Sequence, residues 1–226
     1  MADTNETKIF TGFSLKIIAI AAMAVDHVGA VIFPDAFWMR GIGRITFPVM
    51  AFLISEGFFH TRNPKRYILR LAAFGVLSQL PYYFMFRGIT PVGGNVMFTL
   101  ACSAGVLYLI EAEMNSPKKF ALIVGACAIA AICDWSVYGL FCVVLLYATR
   151  ENRAGQMVCL VALVLLMVCA VYISGGGYYS LIHLGMLLAV PLIYMYNGKR
   201  GEDMRWLFYA FYPAHMAIIA VLRNFL

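Results

Sequence analysis

The sequence predicts an all-α polytopic membrane bundle of about nine transmembrane helices, and three observations lead there. Apolar residues make up 63% of the 226 positions and charged residues 12%, with a mean hydropathy of +0.83. Soluble domains are roughly half apolar and a quarter charged, so a water-soluble globule, a disordered chain and a disulfide-rich secreted module are all excluded. The apolar residues fall in stretches near the ~20 residues that a helix needs to cross hydrocarbon. Finally, 13 of the 17 Lys and Arg collect in alternate gaps between those stretches or at the span ends beside them, the asymmetry that orients membrane helices.

The first span, 14–33, follows a polar start, MADTNETK, and reads as a retained helix rather than a cleaved leader. The next spans are 41–59, 67–86 and 95–114. Spans 120–135 and 137–149 are short and joined by a tight turn, so eight spans plus a re-entrant pair is the alternative. Then come 156–174, 178–196 and 205–222. No linker divides the chain, and residues 1–226 form a single domain. With the N-terminus inside and the C-terminus outside, the cytoplasmic segments, gaps and adjoining span ends together, hold Lys8, Lys16, Arg62, Lys65, Arg66, Arg70, Lys118, Lys119, Arg150, Arg153, Lys199, Arg200 and Arg205. Only Arg40, Arg44, Arg87 and Arg223 fall opposite. These cations accompany apolar runs, so the formal charge of +6 speaks for topology and the lipid surface, not for nucleic acid. The six cysteines form no C-x-x-C pair and no spacing with His that suits a metal. The localisation that follows is a multi-pass protein of the cytoplasmic (inner) membrane.

An ionisable side chain in hydrocarbon costs about 2.5–3.5 kcal/mol on insertion scales, so each needs a partner or a purpose. Placed by depth, Asp26, His27, Arg44, Gln79, Asn95, Asp134, His183 and His215 share the outer half of the bundle, although they come from seven different spans. Lys16 and His27 are eleven residues apart, which returns to nearly the same helix face. By the same arithmetic Arg44, Pro48, Ala51 and Ser55 line one small, polar face. Glu56 and His60 lie in the inner half. These stripes predict a narrow wet passage from the cytoplasmic end to the outer layer. Pro48, Pro81 and Pro213 lie near that layer and are candidates for helix kinks.

Several runs carry a family likeness. Leu15-Lys16-Ile17-Ile18 with Asp26-His27-Val28-Gly29, Gly43-Arg44-Ile45-Thr46-Phe47-Pro48, and Glu56-Gly57-Phe58 followed by His60-Thr61-Arg62-Asn63 resemble the opening of TraX proteins. So do Asn95 before Phe98-Thr99, Asp134 before Tyr138-Gly139, Asn197-Gly198-Lys199-Arg200-Gly201 and Phe211-Tyr212-Pro213-Ala214-His215. TraX was named for acetylating the N-terminus of conjugative pilin, and the family resembles multi-pass acyltransferases such as lysosomal heparan acetyltransferase. The resemblance implies transfer of an acetyl group from cytosolic acetyl-CoA, without a metal, to an acceptor at the far face of the membrane. That acceptor is a protein N-terminus, a glycan or a cell-envelope polymer. His183 lies outside the quoted motifs.

Acyl transfer from a thioester needs a base for the acceptor proton and a donor for the developing oxyanion. His27 is the expected base, oriented by Asp26 or Asp134. Neighbours on a helix point ~100° apart, so adjacency alone does not choose Asp26. Arg44, Asn95, His215, His183 and Glu56 are expected around the reacting carbonyl or the acceptor. The phosphates of CoA favour Lys and Arg, which points to Lys16, Arg62, Lys65, Arg66, Arg70, Lys199 and Arg200 as the donor-binding set. Arg150 and Arg153 read as topology anchors. The rival reading is a transporter or flippase without covalent chemistry, since buried charges and broken helices also mark substrate paths. A purely structural Asp26–Arg44 ion pair, and an Asn95 that only caps its helix, are the plainer alternatives at those sites.

Overall fold

A computed structural model describes residues 8–203 and 205–225. Most of the polar start read above, residues 1–7, and the side chain of Arg205 lie outside the described residues. Helices α1 (Gly12–Val31), α2 (Phe37–Gly43), α3 (Thr46–His60), α4 (Pro64–Phe86), α5 (Val96–Glu111), α6 (Ser116–Ala131), α7 (Ser136–Ala148), α8 (Arg153–Val171), α9 (Ala189–Tyr194) and α10 (Arg205–Leu222) follow one another. Between α8 and α9 run a π turn (Tyr172–Gly176) and a 3-10 stretch (Gly177–Leu188). Four stretches of the described residues are long and apolar enough to cross a bilayer alone: Gly12–Val31, Phe37–His60, Pro64–Phe86 and Arg153–Tyr194.

The first helix is held at its start from two sides. Thr11 and Ser14 form a reciprocal capping box. The next amides, on Gly12 and Phe13, donate to the carbonyls of Lys199 (2.8 Å) and Arg200 (2.9 Å). The Asn197–Gly201 run is thus a clamp that satisfies orphan amides of α1. Its turns need Gly198 at φ 77° and Gly201 at φ 73°, backbone that glycine alone adopts without strain.

The single span expected over 41–59 is broken at Arg44–Ile45 into α2 and α3. Pro48 explains the break. It has no N–H for the carbonyl of Arg44 four residues back, and its ring crowds that carbonyl. Pro48 therefore sits harmlessly in the first turn of α3 instead of kinking its middle. Pro81 and Pro213 do lie inside α4 and α10. The span expected over 178–196 also differs, being 3-10 for twelve residues before α9 begins. Such long 3-10 runs are uncommon. At ~2.0 Å rise per residue against ~1.5 Å, this one stretches Gly177–Tyr194 to ~33 Å, enough to cross hydrocarbon of ~30 Å. It also lets Gly185 meet the backbone carbonyl of Gly41, an approach that any Cβ would block.

Fully buried Leu15, Phe52, Leu100, Leu146, Leu160 and Met216 draw six helices into one core. Contacts at both ends show which helices run together. Phe13 and His27 of α1 meet Phe208 and His215 of α10, while Phe47 and Phe58 of α3 meet Trp135 and Tyr147 beside and within α7. The loops rich in Lys and Arg share one end, here the basic end, with Phe10 bridged to Tyr196. At the other end Gly94 bridges to Cys133, so the α4–α5 loop and the α6–α7 turn stop at one level. Gln79 of α4 binds that loop, yet α4 continues seven residues further, about 10 Å. The 16-residue α5 and α6 and the 13-residue α7 thus end in a recess between longer neighbours.

Candidate active site

The recess is where the outer-half polar residues gather. Asp26, near the end of α1, takes Arg40 Nη1 on Oδ2 at 2.7 Å, and the same guanidinium nitrogen donates to the Asp26 carbonyl at 3.0 Å. Arg44 stands 3.9 Å from Oδ1. Arg40 and Arg44 are four residues apart across the end of α2, so both reach α1. Gly43 between them is obligatory, because a Cβ there would overlap the Asp26 carboxylate. Asp26 Oδ1 and Arg44 Nε are buried with no hydrogen-bond partner among the described residues. The closer ion pair is therefore with Arg40, a residue that the sequence reading left among the outer-side cations. The i,i+4 spacing of the two arginines was the signal for it.

Arg44 also lies within electrostatic range of Asp134, Tyr179 and His183, and its guanidinium covers the ring of Trp135 at 5.6 Å. The α6–α7 turn that presents Asp134 and Trp135 is strained. Trp135 (φ 63°) and Ser136 (φ 48°) are consecutive non-glycine residues in left-handed backbone, at a cost on the order of 1–3 kcal/mol each. Four contacts hold the turn. Asp134 Oδ1 accepts the Trp135 amide (3.0 Å), the Asp134 amide donates to Gly94 O (2.7 Å), Thr99 Oγ1 donates to the Asp134 carbonyl, and Trp135 stacks on Phe47 at 4.1 Å.

His27 is paired with neither Asp26 nor Asp134. Its Nδ1 lies 2.8 Å from His215 Nε2, and His215 Nδ1 lies 2.7 Å from the Phe211 carbonyl. A carbonyl only accepts, so His215 carries its proton on Nδ1 and offers Nε2 as acceptor. His27 must then donate from Nδ1, which leaves its own Nε2 as the basic nitrogen. The chain of bonds sets both tautomers. Phe86 lies edge-on to His27 at 5.6 Å and Phe211 stacks on His215 at 4.7 Å.

Asn95 is wholly occupied. Its side chain caps α5 through Met97 (3.0 Å) and donates to Gly75 O (2.7 Å) and Gln79 Oε1 (2.9 Å). It caps, as the plainer reading had it, and also ties α4 to α5. His183 is buried, with Nδ1 donating to Ser180 O at 3.0 Å. Among the residues expected around the carbonyl, Glu56 is the exception. It lies at the basic end of α3, 3.9 Å from His60. The stripe Arg44, Pro48, Ala51, Ser55 does face inward, and Ser55 Oγ is buried without a partner among the described residues. Two surface cavities, of about 280 Å³ against α4 and α10 and about 520 Å³ between α2 and the 3-10 stretch, take in none of the eight polar residues.

At the basic end Arg62, Lys65, Arg66, Lys199 and Arg200 are exposed. Arg200 is committed to Asp203 at 2.7 Å, and Lys65 lies over the ring of Tyr108. Lys16 covers the ring of Phe208 at 5.3 Å. Arg70 lies near the rings of Tyr67 (5.5 Å) and Tyr209 (5.9 Å), and its buried Nε has no partner among the described residues.

These features define a polytopic α-helical membrane protein with a recessed layer of paired charges around a histidine couple. The chain belongs to the TraX family: the family model described as TraX protein matches residues 12–223. A probable fimbrial assembly protein, FimC of serogroup H1, from Dichelobacter nodosus is 34% identical, covering 96% of this chain and 97% of that one. Protein TraX of Escherichia coli K12 is 26% identical over 92% of this chain and 85% of its own length. No solved structure matches the chain.

Proposed function

We propose that this protein is an inner-membrane acetyltransferase that moves the acetyl group of cytosolic acetyl-CoA to an amine or hydroxyl at the opposite face. The observation that carries this reading is the bond chain from the Phe211 carbonyl through His215 to His27, within electrostatic range of Arg44, whose buried Nε has no partner among the described residues. His27 Nε2 takes the acceptor proton as the acceptor nitrogen or oxygen attacks the thioester carbon. The positive charge that His27 gains is shared through Nδ1–H with His215. Arg44, whose Nε is buried and unpaired, receives the developing oxyanion; Asn95 and His215 are already engaged. The C–S bond then breaks, and the CoA thiolate leaves with the proton that His27 returns. Asp26, Arg40 and Asp134 keep Arg44 in place. The basic end supplies Lys16, Arg62, Lys65, Arg66, Arg70, Lys199 and Arg200 to a polyanionic donor arriving from the cytosol. A relative named for fimbrial assembly supports an acceptor among cell-surface polymers or their subunits.

The test is incubation of the purified protein in lipid with acetyl-labelled CoA. Label passing to an acceptor or to water, lost in His27→Ala at unchanged folding, is the expected result. No label release from the wild-type protein under any acceptor, as a transporter would behave, refutes the proposal.

A further inference from the structure

Among the seven cations of the donor-binding set, two stand apart. Lys16 and Arg70 do not sit in loops. They project from α1 and α4 onto consecutive residues of α10, Phe208 and Tyr209. Tyr209 is held flat against Phe74 at 4.1 Å, and Phe208 meets Phe13 edge-on at 6.2 Å. Aromatic faces thus fix both charges against α10, which packs on both α1 and α4. The buried Nε of Arg70 has no acceptor among the described residues. Arg200 is paired with Asp203, and the backbone around Lys199 is used to clamp α1.

The same seam leads to the histidines. α1 and α10 run in one direction from Lys16 and Phe208 to His27 and His215. The interval is eleven residues on α1 and seven on α10, roughly 10–16 Å of helix. A phosphate group at Lys16 and Arg70 with a thin, uncharged arm laid along the α1–α10 seam would bring a thioester to His27. Phosphate and arm at that separation are the two parts of phosphopantetheine.

We infer that Lys16 and Arg70 form the phosphate site for the donor, and that the α1–α10 seam receives its pantetheine arm. This rests on the acetyltransferase reading for its meaning but is tested by binding alone. The full-length protein in detergent is titrated calorimetrically with CoA and with pantetheine, which lacks the phosphates. Lys16→Ala and Arg70→Ala should each weaken CoA about tenfold, the loss of one charged hydrogen bond, and leave pantetheine within about twofold. Arg70→Lys, which keeps the charge and the stem, should hold CoA affinity within about threefold. The paired Lys199→Ala and Arg200→Ala change should cost less than about threefold. Unchanged CoA affinity in the Lys16 and Arg70 variants, equal loss of both ligands, or a larger effect at Lys199 and Arg200 overturns the assignment. Charge-dependent CoA binding without any acetyl turnover supports the site and sinks the reaction proposed above.

Discussion

Replacing His215 separates a residue that fixes a base from the base itself. In His215→Ala the Nδ1–H of His27 loses its acceptor at 2.8 Å. The tautomer with the bare Nε2 is no longer favoured, and the imidazolium formed during transfer goes unshared. A hydrogen bond to a charged group contributes about 1.5–3 kcal/mol, which at about 1.4 kcal/mol per decade is roughly a 10- to 150-fold fall in kcat. Removing the base itself, in His27→Ala, forfeits the whole proton-transfer contribution, about 10²- to 10⁴-fold. His215→Gln discriminates further, because its amide oxygen accepts a hydrogen bond at a similar reach, so it should recover about tenfold over His215→Ala. The assay is label transfer from acetyl-CoA in lipid, with KM measured alongside and thermal midpoints confirming the fold. The reasoning fails if His215→Ala matches His27→Ala, or if His215→Gln is no better than His215→Ala. It fails equally if His215→Ala raises KM while kcat stays put, for His215 would then be holding substrate.

Three further outcomes follow from the packing. Asp26→Asn leaves Arg40 and Arg44 without their shared carboxylate; both sites are about 15% exposed or less, so the loss should approach about 3–5 kcal/mol, read as a fall in thermal midpoint. Asn95→Asp keeps the cap on α5 but turns two donated hydrogen bonds, to Gly75 O and Gln79 Oε1, into repulsions, so it should be less stable than Asn95→Ala. The orientation expected from the basic segments, with the C-terminus outside, predicts that alkaline phosphatase fused after Leu226 is active in the cell and a fluorescent protein fused there dark; the reverse pattern sinks the orientation.

The legible part of this fold was the part written in composition. Apolar stretches near ~20 residues marked the spans, and motif residues from Asp26 to His215 marked the layer they form. What stayed hidden was rotation about each helix axis. The polar stripes showed which faces turn inward but not which helix each one meets, so the pairing of His27 with His215, and not with a carboxylate, was not readable. Glu56 was placed at the inner end yet grouped with the reaction centre, and the structure leaves it beside His60. Pro48 was noticed near the layer, but its effect on the carbonyl of Arg44 required asking which acceptor it orphans. The 3-10 stretch had a weak signal in Gly175, Gly176, Gly177 and Gly185 and none in its apolar pattern.

Charge at this depth is costly, and the arrangement suggests how the cost is met. Asp26 and Asp134 face Arg40 and Arg44, two carboxylates against two guanidiniums, so the layer carries no net charge from its permanent ions. The histidines stand apart from that quartet in function. Their hydrogen bonds end on a helix carbonyl and not on a carboxylate, so at rest both rings are neutral and the couple adds no further charge to the interior. A carboxylate as the partner of His27 would have raised its basicity but placed a fifth ion in the recess. A neutral couple serves a reaction in which charge appears only transiently, as the acceptor proton arrives and the thiolate departs. On that logic His215→Asp is the revealing substitution: it supplies an acceptor of stronger basicity, yet it should be less stable than His215→Gln by about 1–3 kcal/mol, the cost of an added buried polar group without its full set of partners. If His215→Asp is as stable as His215→Gln and faster, neutrality is not what the fold protects.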